Sequence, residues 1–145
     1  RDLGIALMDE PGAGAAGGLG FGLLAFCGGR LRRGVDVVMD AVGMSDRMQA
    51  AELAITGEGS LDAQSLRGKV PAGVLEAADM AGVPVVILCG RATIDVPGVP
   101  VLALVDEVGE RAAVDDARRS LEALAATCAA RAETFLAGPD VRTGA

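Results

Sequence analysis

The sequence predicts an α/β fold, a mostly parallel sheet with helices packed on it, and three observations carry that prediction. Residues 53–56, 85–89 and 101–105 are short continuous apolar runs, the pattern of strands buried on both faces. Alanine-rich stretches of helical spacing lie between and after them, so short β–loop–α units recur along the chain. Aromatic residues are scarce, with three Phe and neither Trp nor Tyr, which leaves Val, Leu, Ile, Ala and Met to build the core. The chain has 145 residues, 51% hydrophobic and 23% charged, enough for one globular domain with a real core.

Taken in order, residues 3–8 read as a short strand or the frayed start of one. Residues 11–20 form a glycine-rich turn into a helix over 21–27, which Gly28-Gly29 stops. Val35, Val38, Met39 and Val42 have the spacing of an amphipathic helix over 35–42. Ser45 and Asp46 look like an N-cap for a short helix ending at Ala51. The strand over 53–56 runs into a polar loop, residues 57–69. A helix over 70–81 follows and stops at Gly82, and Pro84 precedes the strand over 85–89. Gly90-Arg91 marks that strand's exit loop, and Pro97-Gly98 a turn before the strand over 101–105. One long helix is expected over about 112–136, with Val114, Ala117, Leu121, Leu124, Cys128 and Phe135 on one face. Asp115 and Asp116 would sit near its positive end. Gly138-Pro139 ends it, and residues 140–145 read as a disordered tail.

Several function classes are disfavoured. A net charge of −7 argues against nucleic acid, and Arg30, Arg32 and Arg33 are too short a basic cluster to reverse that. No histidine is present, which removes His-based triads, His-containing zinc sites and imidazole acid–base chemistry. Cys27, Cys89 and Cys128 lack disulfide or metal-site spacing and read as buried free thiols in a reducing cytoplasm. No apolar run is long enough for a membrane span, and no signal peptide is visible.

Two glycine motifs invite comparison with nucleotide sites. Gly12-Ala13-Gly14-Ala15-Ala16-Gly17 satisfies GxGxxG, and Asp36 lies near the distance of a ribose-binding acid, which raises an NAD-binding reading. That reading is weak, because residues 35–42 look helical where a second strand belongs. Gly68-Lys69 resembles the end of a P-loop, but Ala63 stands where a glycine is needed and Val70 where Ser or Thr is needed. The richest chemistry is in residues 57–69. Lys69, the chain's one lysine, would offer a point charge to a phosphoryl group, and Gly57 and Gly59 would expose backbone amides. Glu58 and Asp62 could hold magnesium, or one of them could accept the proton of an attacking hydroxyl. The plainer alternative makes Asp62 or Ser60 an N-cap and Lys69 a solvated charge.

Gly57-Glu58-Gly59, Asp62-Ala63-Gln64-Ser65 and Gly68-Lys69, together with residues 12–20, 34–42 and 83–86, resemble the bacterial glycerate kinase family. The similarity runs from Pro11 to about Gly90 and loosens beyond Thr93. It implies ATP-dependent, magnesium-assisted phosphorylation of D-glycerate in a cleft between two α/β lobes, with this chain part of a two-lobed glycerate-kinase-like fold. Asp62 and Lys69 are then the expected catalytic residues. Gly57, Glu58, Gly59, Gln64, Ser65, Gly68, Gly12, Gly14, Gly17 and Gly18 are expected to bind substrate or nucleotide, and Glu58 and Asp62 the metal. The family's enzymes are more than twice this length, and their N-terminal motifs are absent. Residues 1–145 are therefore expected to be a C-terminal portion with little activity alone. A non-catalytic nucleotide- or acid-binding module is the alternative, and a homo-oligomer is left open.

Overall fold

A computed structural model of the chain describes residue 7 and residues 9–137, divided between two compact units, Arg1–Arg33 and Gly34–Ala145. The strand expected over 3–8, apart from Leu7, and the tail over 140–145 lie outside the described residues.

In the first unit, helix α1 (Ala15–Cys27) is regular only from Leu19 onward. Ala16, Gly17 and Gly18 have φ of 51°, 69° and 95°, a left-handed run that keeps the glycine-rich stretch a turn. Gly20 faces the carbonyls of that turn. A Cβ there would stand 2.6 Å from the Gly12 oxygen, so only glycine lets the helix close against the turn. The Phe21 amide donates to Ala13 O at 2.8 Å and fixes this fold-back. Gly28, at φ 61°, ends the helix as expected, and its amide and that of Gly29 both reach Leu23 O. Cys27 is exposed, because it ends the helix instead of packing within it.

The second unit contains helices α2 (Gly34–Ala41) and α3 (Met44–Gln49), then strand β1 (Ala54–Leu61), helix α4 (Val70–Ala81), and strands β2 (Val85–Ala92) and β3 (Val101–Ala103). Helices α5 (Leu104–Asp115), α6 (Ala117–Ala130) and α7 (Ala132–Leu136) complete it. The sheet has the order β1-β2-β3 and both pairings are parallel, as expected. Val85 packs with Met48, Val74 and Ala78 of α3 and α4, whereas Val86 packs with Cys128 and Phe135 of α6 and α7. Alternation along β2 thus gives each sheet face its own helical layer.

Helix α4 has the expected limits. Gly82, at φ 69°, closes it, and the Val83 amide bonds back to Ala78 O at 2.9 Å. On its inner side Gly73 lets α2 come close, since a Cβ would lie 2.6 Å from Val35 Cγ2.

Four expectations are corrected. First, β1 does not stop at Thr56. It continues through Gly57, Glu58, Gly59, Ser60 and Leu61, because β2 also continues through Gly90 and Arg91 and pairs with it up to Leu61↔Ala92. Residues 57–61 are therefore strand and not loop. Second, Gly43, at φ 63°, and not Ser45, is the N-cap residue of α3. Third, β3 ends at Ala103, and α5 starts on the next residue with no loop between them. Fourth, the long C-terminal helix is three helices. It breaks at Asp116 (φ −138°, ψ 53°) and Arg131, and the Ser120 hydroxyl ties α6 back to Ala112 O at 3.2 Å. The break also rotates the buried face. Ala113, Ser120, Leu124, Cys128 and Phe135 are buried, while Val114 and Leu121 are exposed. Asp115 ends α5 and pairs with Arg111, so of the two acids only Asp116 reaches a helix start.

Leu61 is fully buried with Ile87, Cys89 and Ala103 where β1 ends. Truncation to Ala should destabilise the fold by about 2–5 kcal/mol, read as a lowered midpoint in urea; an unchanged midpoint would show that β1 does not anchor this end of the sheet.

Candidate functional site

The candidate site is built where β1 leaves the sheet and α4 begins. Ala54, Thr56 and Glu58 alternate onto the α4 face of β1, where Ala54 already packs with Met48 and Val74. Lys69 is the N-cap residue of α4, in extended conformation, and makes no side-chain capping bond. Its side chain turns instead to Glu58, with Nζ donating to Oε1 at 3.2 Å. The lysine side chain is 44% exposed and the glutamate 22%, so the pair by itself adds little stability.

The other glutamate oxygen is the unusual feature. Glu58 Oε2 is buried and has no hydrogen-bond partner among the described residues. Leaving a buried acceptor unmatched costs about 1–3 kcal/mol, more when it is charged. Native folds seldom tolerate that without a functional reason. Glu58 and Lys69 stand at one side of a cleft of about 520 Å³, whose apolar walls include Val35, Val38 and Met39 of α2 and Val70 and Val74 of α4. The carboxylate thus offers an acceptor, and the ammonium has donors left beyond its one bond.

Asp62 occupies a different setting. Its Oδ1 accepts the amides of Gln64 at 2.8 Å and Ser65 at 3.0 Å, the geometry of a side chain capping a tight turn. The Ser65 hydroxyl is fully buried. It accepts the Asp62 amide at 3.2 Å and lies 3.1 Å from Ser60 O, its acceptor. The hydroxyl expected to meet a ligand is thus committed to the turn. Among the described residues no hydrogen bond reaches Asp62 Oδ2. The amides of Gln64 and then Ser65 hold the Asp62 carboxyl below its ordinary value, with lesser help from the Lys69 charge and against some desolvation. Gln64 is exposed, and Gly68, at φ 75°, makes the last bend before Lys69.

Gly57 and Gly59 lie within β1, so their amides belong to a strand and not to a free loop. Gly12, Gly14, Gly17 and Gly18 lie in the first unit. There Gly17 and Gly18 have open space where a Cβ would stand, leaving their backbone bare. Asp36 sits in the first turn of α2, a helix where a dinucleotide fold needs a strand, which removes the main support for NAD. No group of three or more Asp, Glu, Cys or His gathers among the described residues. Val35, Val38 and Met39 carried only a helix signal in the sequence, yet they wall the cleft. The Glu58–Lys69 pairing, eleven residues apart, had no sequence signal at all.

Because its folded value is depressed, the ionised Asp62 stabilises the turn fully above its unfolded value and loses that effect as pH falls through the lower folded value. Amide shifts of Gln64 and Ser65 should titrate with a midpoint below the ordinary 3.8, and Asp62→Asn should abolish the titration. A midpoint at or above 3.8 would mean the turn bonds do not persist in solution.

Comparison with known proteins agrees with the resemblance. Residues 1–134 match the Glycerate kinase family. The chain is 46% identical over 95 residues to the glycerate kinase of Bacillus subtilis (strain 168), a match covering 66% of the chain and 25% of that protein. It is 43% identical over 96 residues to the glycerate 2-kinase of Escherichia coli (strain K12), again 66% of the chain and 25% of the relative. A crystal structure of a proposed glycerate kinase 2 from Salmonella typhimurium LT2 superposes with a TM-score of 0.60 at 34% identity, covering 91% of this chain and 37% of that one. The chain thus spans about a quarter of the length of the curated relatives it matches. With the family match running over nearly its whole length and a parallel sheet like its structural neighbour's, the chain belongs to the glycerate kinase family.

Proposed function

We propose that this chain supplies one wall of a site that phosphorylates D-glycerate from ATP. The observation that carries the reading is the buried, unmatched Glu58 Oε2 beside Lys69. A hydroxyl group is the donor such an oxygen lacks. Glu58 accepts the hydroxyl proton as the glycerate oxygen bonds to the γ-phosphorus, and the bond from that phosphorus to the β–γ bridging oxygen breaks to release ADP. Lys69 Nζ, already within 3.2 Å of the carboxylate, directs its remaining donors at the transferring phosphoryl group or the glycerate carboxylate.

Magnesium, when bound, would bridge phosphate oxygens and neutralise their charge. Asp62 Oδ2 fits that ion best, because Oδ1 is held by amides and the carboxyl stays ionised. The donor set among the described residues is small, which suits a cation that keeps waters and shares phosphate oxygens. The names of the relatives support glycerate as acceptor. The buried thiols of Cys89 and Cys128, whose pKa values burial raises, fit a reducing cytoplasm.

Because the chain spans a quarter of its relatives, a second reading is binding without turnover. The chain incubated with ATP, magnesium and D-glycerate should release no ADP above background. In a protein of family length carrying this segment, Glu58→Gln and Lys69→Ala should each lower ADP release by about 10²-fold or more, with far-UV circular dichroism unchanged. Unaltered rates in both variants would sink the assignment, and no ADP from the family-length protein would favour the binding module.

A further inference from the structure

The opposite face of β1 opens on another cleft, of about 900 Å³, between the carboxy-terminal ends of β1 and β2 and helices α5 and α6. Parallel sheets bind ligands at this end of their strands. Its composition is uneven. The strands contribute glycines, Gly57 and Gly59 from β1 and Gly90 from β2, so that part of the lining is bare peptide. Val105, Val114 and Leu121 supply apolar walls from the helices, and Arg91 and Arg118 add two guanidinium groups. In a chain of net charge −7 this is a local concentration of positive charge, with Glu58 as the one acid in the lining.

The glycines are not equivalent. A Cβ at Gly57 or Gly90 would come within 2.5 Å of a neighbouring strand's carbonyl oxygen, so sheet geometry alone accounts for both. Gly59 is different. A Cβ there meets nothing within 4 Å and its φ is not left-handed, so packing gives no reason for its bareness. A flat apolar ring could lie against such a floor. Both arginines hold exposed partners, Arg91 with Glu110 and Arg118 with Glu122. Exposed pairs are worth little, so each guanidinium can turn to phosphate at small cost and bind it in bidentate fashion.

We propose that the α5–α6 cleft seats the base of a nucleoside triphosphate, with Gly59 beneath the ring and Arg91 and Arg118 toward the phosphates. This rests on the reading above that such a triphosphate is the phosphoryl donor. Gly57 and Glu58 line this cleft and the Glu58–Lys69 cleft alike, so donor and acceptor would meet across one strand.

Titration calorimetry of the chain with ATP and with adenosine tests it. Gly59→Val places a strand-favouring side chain in open space, so the melting temperature should hold or rise while affinity for both ligands falls at least tenfold. Val114→Glu, at a position 78% exposed, should fold normally and also weaken ATP at least tenfold. Arg118→Ala should weaken ATP and leave adenosine unchanged. Unaltered ATP affinity in either folded cleft variant, or no ATP binding by the unaltered chain, would overturn the assignment. The ADP assay above judges the kinase reading separately, and that reading survives either result.

Discussion

Everything at the site depends on the parallel pairing of β1 with β2 beyond Gly57. Were β1 to end at Thr56, Glu58 would ride on a loop and its carboxylate would be solvated. Pairing Glu58 with Cys89 and Leu61 with Ala92 holds the backbone straight for four more residues. It carries an acidic side chain into partly buried surroundings, where one oxygen has no partner. Thr93 seals the end, its amide and hydroxyl both bonding Leu61 O at 2.9 and 3.1 Å. The same straight strand gives the segment two faces with different chemistry.

The turn after β1 converts that rigidity into position. Asp62 and Ser65 hold one another through backbone and side chain, so the chain leaves the sheet in a fixed direction before Gly68 bends it into α4. Lys69 is then placed from two sides, as the last residue before a helix packed on the sheet and as partner to a strand residue. Two elements joined by a bonded turn set the lysine-to-glutamate distance far better than a flexible loop would. Fixed placement of this kind is what chemistry on a small polar substrate requires.

Much of this was legible in the sequence, for identifiable reasons. Helix α4 has the expected limits because Gly82 is a stop signal that tertiary packing did not override. Both parallel pairings follow from apolar runs in β–loop–α units. The strand extension was not legible, because Gly, Glu and Ser have poor strand propensity and only pairing with β2 makes them one. The breaks at Asp116 and Arg131 were hidden for the opposite reason: helical periodicity continues across both, and a tie such as Ser120 to Ala112 has no local signature. At the site, residue types pointed to the right segment. Which carboxylate caps a turn and which stays unmatched is a matter of three-dimensional partners, so the sequence left Asp62 and Glu58 alike.

The direct passage of β3 into α5 has a consequence for how this scaffold can vary. Strand β1 leaves the sheet through eight residues, 62–69, whereas Ala103 is at once the last residue of β3 and the N-cap residue of α5. One side of the sheet's ligand-facing rim can thus absorb insertions and substitutions, and the other has no spare chain to alter without shifting a helix. Divergence in substrate preference among related proteins should therefore accumulate at the β1 exit, with the β3 end acting as the fixed jaw against which it is adjusted.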